Sequence, residues 1–319
     1  MNHGGKVWDV SVRNGLIASC SSSKTIRIWK SNSQIAEFSE GHSRSIRSVA
    51  WRPVGRPVIA SASFDATIGI WGLEDGEWEF LAKLEGHEYE VKSVAWSCDG
   101  HYLASCSRDK TIWIWECDVD CEDFECVGVK TEHSQDVKHV TWHPTELLLA
   151  SASYDDDIRL WALDDDEWMC VADLKGHEST VWCCDFEAQN SESRARLVSC
   201  SEDLTVRVWS RVSKQGGSSA NLLPSTARWE TLAEEWKQDL ILPQVHQQAI
   251  YSVNWSQHGI VSAGADGKIV VYREDGDDWK IHTVIEKAHG IYEINAVKWY
   301  DDKVVSAGDD GYVIIHEID

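Results

Sequence analysis

The sequence predicts an all-β fold in which seven four-stranded units close into a β-propeller. One template, clearest in Ser61-Ala62-Ser63-Phe64-Asp65-Ala66-Thr67-Ile68-Gly69-Ile70-Trp71, occurs seven times along the 319 residues. A histidine precedes each copy, and successive histidines are mostly 43 to 46 residues apart. Tryptophan is the dominant aromatic residue, since the 18 Trp outnumber the 8 Tyr and 5 Phe together. A repeat of this length, rich in β-forming residues, is typical of propeller blades.

Each unit can be divided into four strands in chain order. The first strand is a run such as Val91-Lys92-Ser93-Val94-Ala95-Trp96, and the third alternates as in Ile112-Trp113-Ile114-Trp115. Both runs have a period of two and are rich in β-branched and aromatic residues, which predicts strands. The template copies start at Ser19, Ser61, Ser105, Ser151, Ser199, Ser262 and Ser306 and end at Trp29, Trp71, Trp115, Trp161, Trp209, Tyr272 and His316. Over the whole chain this pattern resembles the WD-repeat family.

The resemblance implies a structural role for the repeated polar residues. In WD-repeat proteins the loop histidine, the second-strand serine, the turn aspartate and the third-strand tryptophan form one hydrogen-bonded network, and buried polar groups are tolerated only when paired. The residues that this assigns are His42, Ser61, Asp65 and Trp71; His87, Ser105, Asp109 and Trp115; His133, Asp155 and Trp161; and His177, Asp203 and Trp209. Unit one departs from the pattern, because Ser23 stands where the aspartate is expected.

We predict a single domain over residues 1–319, interrupted by one insertion near residues 211–235. The gap from His177 to His246 is 69 residues, well above the usual repeat. Part of the surplus, Ser213-Lys214-Gln215-Gly216-Gly217-Ser218-Ser219-Ala220, has the composition of a flexible linker. The prediction is a mobile loop between the third and outer strands of blade five, with a short helix as a further option over residues 228–240.

The seventh blade is expected to contain only three strands. They are predicted at about Ile294 to Trp299, Val304 to Ala307 and Val313 to His316, and too few residues follow for an outer strand. WD-repeat proteins usually take that strand from the N-terminus, but Met1 to Gly5 contain no β-forming run. We therefore expect closure without that interlock, either because the chain is naturally short or because an N-terminal extension is missing. The exposed edge of the last strand could then pair with another chain.

Composition and motifs argue against several classes of function. The formal charge of −23 disfavours binding to nucleic acid or to an anionic membrane. No apolar stretch is long enough for a transmembrane helix, and the N-terminus lacks a signal peptide, so the 10 Cys are expected to be reduced. No phosphate loop, zinc-protease or serine-hydrolase motif is present, and no catalytic residue is assigned. Cys117, Cys121 and Cys126 lack the spacing of a metal site, and no metal ligand is assigned either.

The two faces of the predicted propeller differ in charge. The loops between third and outer strands repeat an acidic phrase, as in Glu74-Asp75-Gly76-Glu77-Trp78, which favours a soluble rim with protected strand edges. On the opposite face, equivalent positions of neighbouring blades carry cations beside aromatic side chains. Such residues are enriched at protein-binding sites, and arginine pairs well with carboxylates. The candidate partner-binding residues are Arg47, Lys92, Arg108 and Lys138 with Phe64, Tyr89, Tyr154 and Trp182.

Several segments resemble a narrower group, the WD-repeat scaffold of the cytosolic iron–sulfur protein assembly machinery. They include Ser107-Arg108-Asp109-Lys110-Thr111, Gly86-His87-Glu88 and Gly176-His177-Glu178-Ser179-Thr180-Val181-Trp182. The resemblance implies a non-enzymatic adaptor in the cytoplasm and nucleus that binds no cofactor itself and serves [4Fe–4S] cluster delivery. Its implied partners are a small targeting-complex subunit, a large helical-repeat subunit, iron–sulfur apo-proteins, and C-terminal tails that end in an aromatic residue after an acidic one. A functional surface arginine of the family matches Arg108.

A different WD-repeat adaptor is the alternative, such as a ubiquitin-ligase substrate receptor or a histone-tail reader. A ligase receptor usually carries an additional recruiting domain, for which this chain has no room. A histone reader needs an acidic pocket for lysine or arginine, which is the opposite of the predicted basic cluster. An enzyme with a site in the central channel would need a nucleophile and base, and none was identified.

Overall fold

The computed structural model describes residues 1–188, 195–214, 233–276 and 278–318. Within these ranges the chain forms 27 strands in seven antiparallel sheets, six with four strands and one with three. Each sheet follows chain order, so that every sheet is one blade and its first strand is the inner strand. The predicted seven-bladed propeller is confirmed.

The strands of the first four blades have the following bounds. Blade 1 contains β1 (Val7–Arg13), β2 (Leu16–Ser21), β3 (Ile26–Lys30) and β4 (Ser33–Phe38), and blade 2 contains β5 (Ile46–Trp51), β6 (Val58–Ser63), β7 (Thr67–Glu74) and β8 (Glu77–Glu85). Blade 3 contains β9 (Val91–Trp96), β10 (Tyr102–Ser107), β11 (Ile112–Cys117) and β12 (Phe124–Lys130), and blade 4 contains β13 (Val137–Trp142), β14 (Leu148–Ser153), β15 (Ile158–Asp164) and β16 (Glu167–Leu174).

The remaining strands form blades 5 to 7. Blade 5 contains β17 (Val181–Phe186), β18 (Arg196–Ser201), β19 (Val206–Lys214) and β20 (Glu234–Ile241), and blade 6 contains β21 (Ile250–Ser256), β22 (Gly259–Gly264), β23 (Ile269–Asp275) and β24 (Asp278–Ile285). Blade 7 contains β25 (Ile294–Tyr300), β26 (Lys303–Gly308) and β27 (Val313–His316).

The core lies between neighbouring blades rather than inside one sheet. Ile26 and Ile28 of blade 1, for example, share a buried cluster with Val49, Trp51 and Trp71 of blade 2. The second strands are the most deeply buried, and β6 and β14 are buried at all six positions. Their small Ala and Ser side chains allow the larger aliphatic and aromatic groups of the next blade to approach closely. This packing fixes each inner strand relative to its neighbours around the channel.

Blade 7 has three strands, as predicted, but the N-terminus does pair with it. The backbone N–H of Val313 donates to the carbonyl of Met1, and the N–H of His3 donates to the carbonyl of Gly311. Asn2 and Tyr312 form an antiparallel bridge. The expectation of closure without an N-terminal interlock is therefore wrong, because backbone pairing needs no β-forming side chains at these positions. Val313 is likewise not a free edge for another chain.

The limits of the predicted insertion also need correction. Residues 211–214 belong to β19, and β20 begins at Glu234, so both ends of the predicted loop are paired strands. The optional helix over residues 228–240 is wrong from Glu234 onward, because those residues extend β20 against β19. The rest of the insertion, residues 215–232, lies outside the described residues.

The acidic phrases occupy tight turns at the ends of third strands. In blade 2, Asp75 has a φ of 47° and Gly76 a φ of 87°, which are left-handed conformations that Asp and Gly tolerate well. Asp165 in blade 4 has a φ of 51°. These loops lie on the bottom face. The loops between second and third strands, and between successive blades, form the opposite face, which we call the top face.

Candidate functional site

The repeated polar residues form a buried network that shapes the top face. In blade 3, Nδ1 of His87 lies 2.8 Å from a carboxylate oxygen of Asp109, and Nε2 lies 2.9 Å from Oγ of Ser105. Nε1 of Trp115 donates to the same Oγ over 3.0 Å. Because an ionised carboxylate only accepts hydrogen bonds, Nδ1–H is the donor and Nε2 accepts from the serine. The pKa of Asp109 is lowered to about 2, because its bonds to His87 and Thr111 outweigh the effect of burial.

The same arrangement occurs in the other blades, with informative exceptions. In blades 2, 4 and 5 the histidine contacts its aspartate and its serine at 2.7–3.2 Å: His42 contacts Asp65 and Ser61, His133 contacts Asp155 and Ser151, and His177 contacts Asp203 and Ser199. The indole N–H of the third-strand tryptophan donates to the same serine in each of these blades, from Trp71, Trp161 and Trp209. In blade 1 no aspartate is available, and His3 instead contacts Thr25 and the carbonyl of Ser19. Burial there lowers the pKa of His3 to about 4.

A β-bulge at the start of every inner strand directs one side chain to the mouth of the channel. In each blade the pairing between the first two strands skips the second residue of the inner strand. A bulge leaves the extra residue unpaired and changes the direction of its side chain. The seven skipped residues are Trp8, Arg47, Lys92, Lys138, Trp182, Tyr251 and Asn295.

All seven of these residues line one cavity, which we call the central pocket. It has a volume of about 280 Å³, and Phe64 and Glu293 complete its wall. Lys92 Nζ lies 4.4 Å from the ring centroid of Phe64. Lys138 Nζ lies 5.3 Å from the ring of Trp182. The cations of blades 2 to 4 thus stand beside aromatic walls on one side of the pocket, an arrangement suited to an anionic group attached to an apolar one.

Burial changes the protonation of two groups in the central pocket. It lowers the pKa of Lys92 to about 8, a shift that Glu90 opposes and that Lys138 and Arg47 increase. Burial also raises the pKa of Tyr251 to about 12, with Glu293 adding to the effect. Tyr251 is therefore neutral at physiological pH, whereas Lys92 titrates not far above it.

Three of the eight predicted partner-binding residues lie outside the central pocket. Tyr154 is next to it, with its ring 5.0 Å from Lys138 Nζ. Tyr89 lies in a neighbouring cleft between blades 2 and 3. Arg108 covers the ring of Tyr89 at 5.9 Å, beside the same cleft. The other five, Arg47, Phe64, Lys92, Lys138 and Trp182, line the central pocket together.

Comparison with known proteins identifies the family. The model of the WD domain, G-beta repeat, matches residues 1–30, 32–72, 78–116, 124–162, 168–210 and 239–273, which is more than half of the chain. A probable cytosolic iron-sulfur protein assembly protein 1 of Scheffersomyces stipitis is 46% identical over 335 residues, covering 92% of this chain and 90% of the relative. This chain is a WD-repeat protein of the cytosolic iron-sulfur protein assembly protein 1 family.

Two further relatives agree with this assignment. The protein with the same description from Candida albicans is 46% identical over 346 residues, covering 92% of this chain and 90% of the relative. A probable cytosolic Fe-S cluster assembly factor of Schizosaccharomyces pombe is 46% identical and matches 92% of this chain but only 49% of its own length. The WD-repeat model does not match the seventh unit, although the structure contains that blade as β25 to β27.

Several residues of this WD-repeat top face were not among the predicted partner-binding residues. Trp8, Tyr251 and Asn295 occupy the same strand position as the predicted lysines and arginine, so the repeat places them at the channel mouth although they were not assigned to partner binding. Glu293 and Glu90 precede inner strands by one residue, in loops whose conformation the repeat does not specify. Arg44 was missed for the same reason, and it donates from Nη1 to the carbonyl of Phe64 over 2.6 Å.

One cavity on the bottom face is a weaker candidate for a ligand site than the central pocket. A cavity of about 430 Å³ lies between blades 5 and 6, beside Trp255, Arg273 and Glu274. Two carboxylates of its lining are already paired, because Arg196 forms ion pairs with both Glu187 and Glu274.

The remaining features of the described residues concern thiols, metal ligands and membrane-spanning helices. All ten cysteines are free thiols, and the Sγ atoms of Cys117 and Cys121 lie 3.7 Å apart. Across the described ranges, no three His, Cys, Asp or Glu side chains are grouped so that they could hold a metal ion. The same ranges contain no helix of the length and hydropathy needed to cross a membrane.

Proposed function

We propose that this protein is a non-enzymatic adaptor that recruits apo-proteins to the cytosolic iron–sulfur protein assembly machinery. The observation that carries the proposal is the combination of 46% identity to assembly proteins over 92% of the chain with a basic and aromatic pocket at the channel mouth. In this role the [4Fe–4S] cluster is cargo, which a partner subunit holds and the client receives. The adaptor acts in the cytosol, and also in the nucleus where clients reside there.

The central pocket is the proposed site for the C-terminal tails of clients. A tail that ends in an aromatic residue after an acidic one carries both a free carboxylate and an apolar ring. Lys92, Lys138 and Arg47 supply charge for the carboxylate, and the rings of Trp8, Phe64 and Trp182 supply apolar walls. Partly buried cations bind carboxylates more strongly than exposed ones do, because water screens them less.

The remaining surfaces are proposed to hold the other members of the targeting complex. A small partner subunit and a large helical-repeat subunit would bind outside the central pocket, so that the pocket stays open to clients. The ring of tryptophan and basic residues also argues against a histone-tail reader, because lysine-rich tails would meet Arg47, Lys92 and Lys138.

The proposal predicts a defect that is confined to one class of enzymes. Cells in which this chain is replaced by the double variant Arg47→Glu and Lys138→Glu should lose activity of cytosolic and nuclear [4Fe–4S] enzymes. Mitochondrial [4Fe–4S] enzymes should keep their activity, and they serve as the internal control. Equal losses in both compartments, or no loss in either with normal levels of the variant, would contradict the proposed function.

A further inference from the structure

Two buried cysteines are in contact at the bottom face of blade 3. Cys117 is the last residue of β11, Cys121 lies in the loop that leads to β12, and their Sγ atoms are 3.7 Å apart. The two residues are 2% and 0% exposed, whereas Val119 between them is 83% exposed. The thiol pair therefore lies directly beneath an exposed loop, residues 118–123, which we call the thiol loop.

Local hydrogen bonds fold the thiol loop so that its cysteine returns to the end of β11. The N–H of Cys121 donates to the carbonyl of Asp118 over 3.3 Å, and the N–H groups of Glu122 and Asp123 donate to the Asp118 carboxylate over 2.9 and 3.3 Å. Cys121 has a φ of 57°, a left-handed conformation typical of turns. Because a disulfide bond is about 2.05 Å long, the two sulfur atoms need to approach by less than about 2 Å to form one.

Two arginines of blade 2 hold the thiol loop. Nε of the buried Arg52 donates to the carbonyl of Gly100, and its Nη1 donates to that of Val119, both over 2.9 Å. Arg56 donates to the carbonyl of Asp120 in the same loop. A nearby guanidinium favours a thiolate over a thiol. The thiol pair thus lies in a setting where one of its sulfur atoms is readily ionised.

The surroundings of the two sulfur atoms show which one that is. Cys117 Sγ lies 3.5 Å from the carbonyl oxygen of Gly100, which accepts a hydrogen bond from a thiol and repels a thiolate. The hydrogen bond from Cys117 lowers the pKa of Cys121, and Arg52 and Arg56 add to the effect. The same bond, together with burial, raises the pKa of Cys117. Cys121 is therefore the nucleophile of the pair, and Cys117 keeps its proton.

A second cavity of the bottom face, with a volume of about 360 Å³, adjoins the thiol pair. Cys117 and Phe124 belong to its wall. Its other lining residues are His101 and four carboxylates, Glu116, Asp118, Asp123 and Glu125. A wall of this charge repels anionic oxidants such as glutathione disulfide, whereas it does not repel a small neutral hydroperoxide.

We propose that Cys117 and Cys121 are a reversible modification site, which a hydroperoxide oxidises to a disulfide. The Cys121 thiolate attacks one peroxide oxygen, the O–O bond breaks, and the leaving oxygen takes a proton from solvent, which yields a sulfenic acid and an alcohol, or water when the oxidant is hydrogen peroxide. Cys117 Sγ then attacks the Cys121 sulfur, the S–O bond breaks, and the hydroxide leaves as water with the proton of Cys117. The two electrons that the sulfur atoms lose are those that the peroxide gains.

The second thiol keeps this oxidation reversible. A sulfenic acid that meets a thiol forms a disulfide, which a dithiol reductant returns to two thiols, whereas an isolated sulfenic acid is open to irreversible oxidation. Cys126 of the same blade offers an internal comparison. It is exposed, its Sγ lies 3.7 Å from the carbonyl of Gly128, and burial of part of the side chain raises the pKa of its thiol.

The test treats the full wild-type chain with hydrogen peroxide at neutral pH, blocks the remaining thiols with N-ethylmaleimide and maps the products by mass spectrometry. Non-reducing digestion with a protease that cleaves before aspartate, at Asp118, Asp120 and Asp123, places the three cysteines in separate peptides. We expect the peptide that ends in Cys117 to be joined to Asp120-Cys121-Glu122, and dithiothreitol to separate them. Glutathione disulfide at the same concentration should give this product about tenfold more slowly, because the acidic cavity repels it.

Single variants test the order of the two steps. In Cys117→Ser the sulfenic acid of Cys121 should persist and react with dimedone, whereas in Cys121→Ser the protonated Cys117 should stay unlabelled. The matched control Cys126→Ser should form the disulfide at the wild-type rate.

Three results would count against the proposal. Absence of the joined peptides in peroxide-treated wild type, or oxidation of Cys126 as fast as that of Cys121, would overturn the modification site. Equal dimedone labelling in Cys117→Ser and Cys121→Ser would overturn Cys121 as the nucleophile. A faster reaction with glutathione disulfide than with hydrogen peroxide would overturn the hydroperoxide as the oxidant.

Discussion

The Nζ atom of Lys92 lies 4.4 Å from the ring centroid of Phe64, across the boundary between blades 2 and 3. Lys92 is the bulged residue of its inner strand, and Phe64 directly precedes the turn aspartate of blade 2. The aspartate of that turn, Asp65, is held by His42, so the ring of Phe64 stands on a rigid support. The structural network and the proposed binding surface are therefore consecutive parts of one turn.

Binding of an acidic tail should weaken as the pH rises through about 8. Burial lowers the pKa of Lys92 to about 8, so its ammonium group is charged below that pH and increasingly neutral above it. A bound carboxylate favours the charged form, which means that binding takes up protons between about pH 7 and 9. Kd for a fluorescein-labelled eight-residue peptide with a free C-terminus ending in Asp-Trp, measured by fluorescence anisotropy at half-unit intervals from pH 6 to 9.5, should rise severalfold above pH 8.

The conservative variant Lys92→Arg tests whether the titration of Lys92, and not that of another group, causes the pH dependence of binding. A guanidinium stays charged throughout the range, so the variant should bind with nearly constant affinity between pH 7 and 9. Calorimetry in buffers with different ionisation enthalpies would report the proton uptake directly. A pH profile that is the same in Lys92→Arg and in the wild type would assign the titration to another group.

Arg108→Glu should leave the fold intact and reduce client binding. The Arg108 side chain is largely exposed, whereas the neighbouring Asp109 keeps its contacts to His87 and Thr111. Circular dichroism and the melting temperature should match the wild type, and affinity capture of iron–sulfur apo-proteins from cytosol should fall by about tenfold or more, since the charge is reversed at the site. An unfolded variant, or unchanged capture of every client, would contradict this prediction.

The sequence predicted the blades well because the repeat specifies them locally. Each copy of the template carries its own β-forming run and buried serine, and every copy except the first carries the turn aspartate; the structure places them as strands and turn in each case. The pairing of Met1 to His3 with residues 311–313, at the start of β27, was missed, because it depends on backbone groups brought together from opposite ends of the chain. No local pattern reports such a contact.

The candidate site was predicted in part, for a similar reason. Equivalent strand positions pointed to Arg47, Lys92 and Lys138, which the structure brings together in one pocket. The position of Glu90 between Arg44 and Arg108 could not be predicted, since these residues belong to loops of two different blades. Residues at equivalent positions of the repeat can be predicted from the sequence, whereas contacts between non-equivalent loops become visible only in the structure.

Stability should decline steeply in acid because several turn aspartates are ionised in the folded state. The pKa of Asp109 is lowered to about 2, and the pKa values of Asp65, Asp155 and Asp203 are lowered further. An unfolded aspartate has a pKa of about 3.9, so this stabilisation is complete above about pH 5 and is lost as the pH falls toward 2. For Asp109 the contribution is on the order of 2 kcal/mol.

Urea unfolding followed by tryptophan fluorescence between pH 7 and 2.5 would measure this loss. The variant Asp109→Asn should be less stable at pH 7 and should lose less free energy of unfolding on acidification, because one titrating group is gone. The exposed Asp120→Asn is the control and should follow the wild-type profile. Identical pH profiles for Asp109→Asn and wild type would show that this carboxylate does not contribute to acid sensitivity.

Ser23→Asp should complete the network of blade 1 and stabilise the protein. Ser23 occupies the position of the turn aspartate, since its backbone N–H donates to Ser21 Oγ over 3.1 Å just as Asp65 donates to Ser63 over 3.2 Å. Thr25 and His3 are 3.3 Å apart, as are Thr67 and His42. A carboxylate at this position can accept the Nδ1–H of His3, a charge-assisted bond that contributes about 1–2 kcal/mol.

The two readouts of this variant are its free energy of unfolding and the pKa of His3. Burial without a carboxylate partner lowers that pKa to about 4, and an aspartate at position 23 should raise it, because the negative charge favours the imidazolium form. Proton NMR titration of the His3 ring would follow the change, with Ser22→Asp as the neighbouring control that adds the same charge outside the network. If Ser23→Asp shifts neither the His3 pKa nor the urea midpoint beyond the effect of Ser22→Asp, then blade 1 is stabilised by its contacts to β27 and not limited by the missing carboxylate.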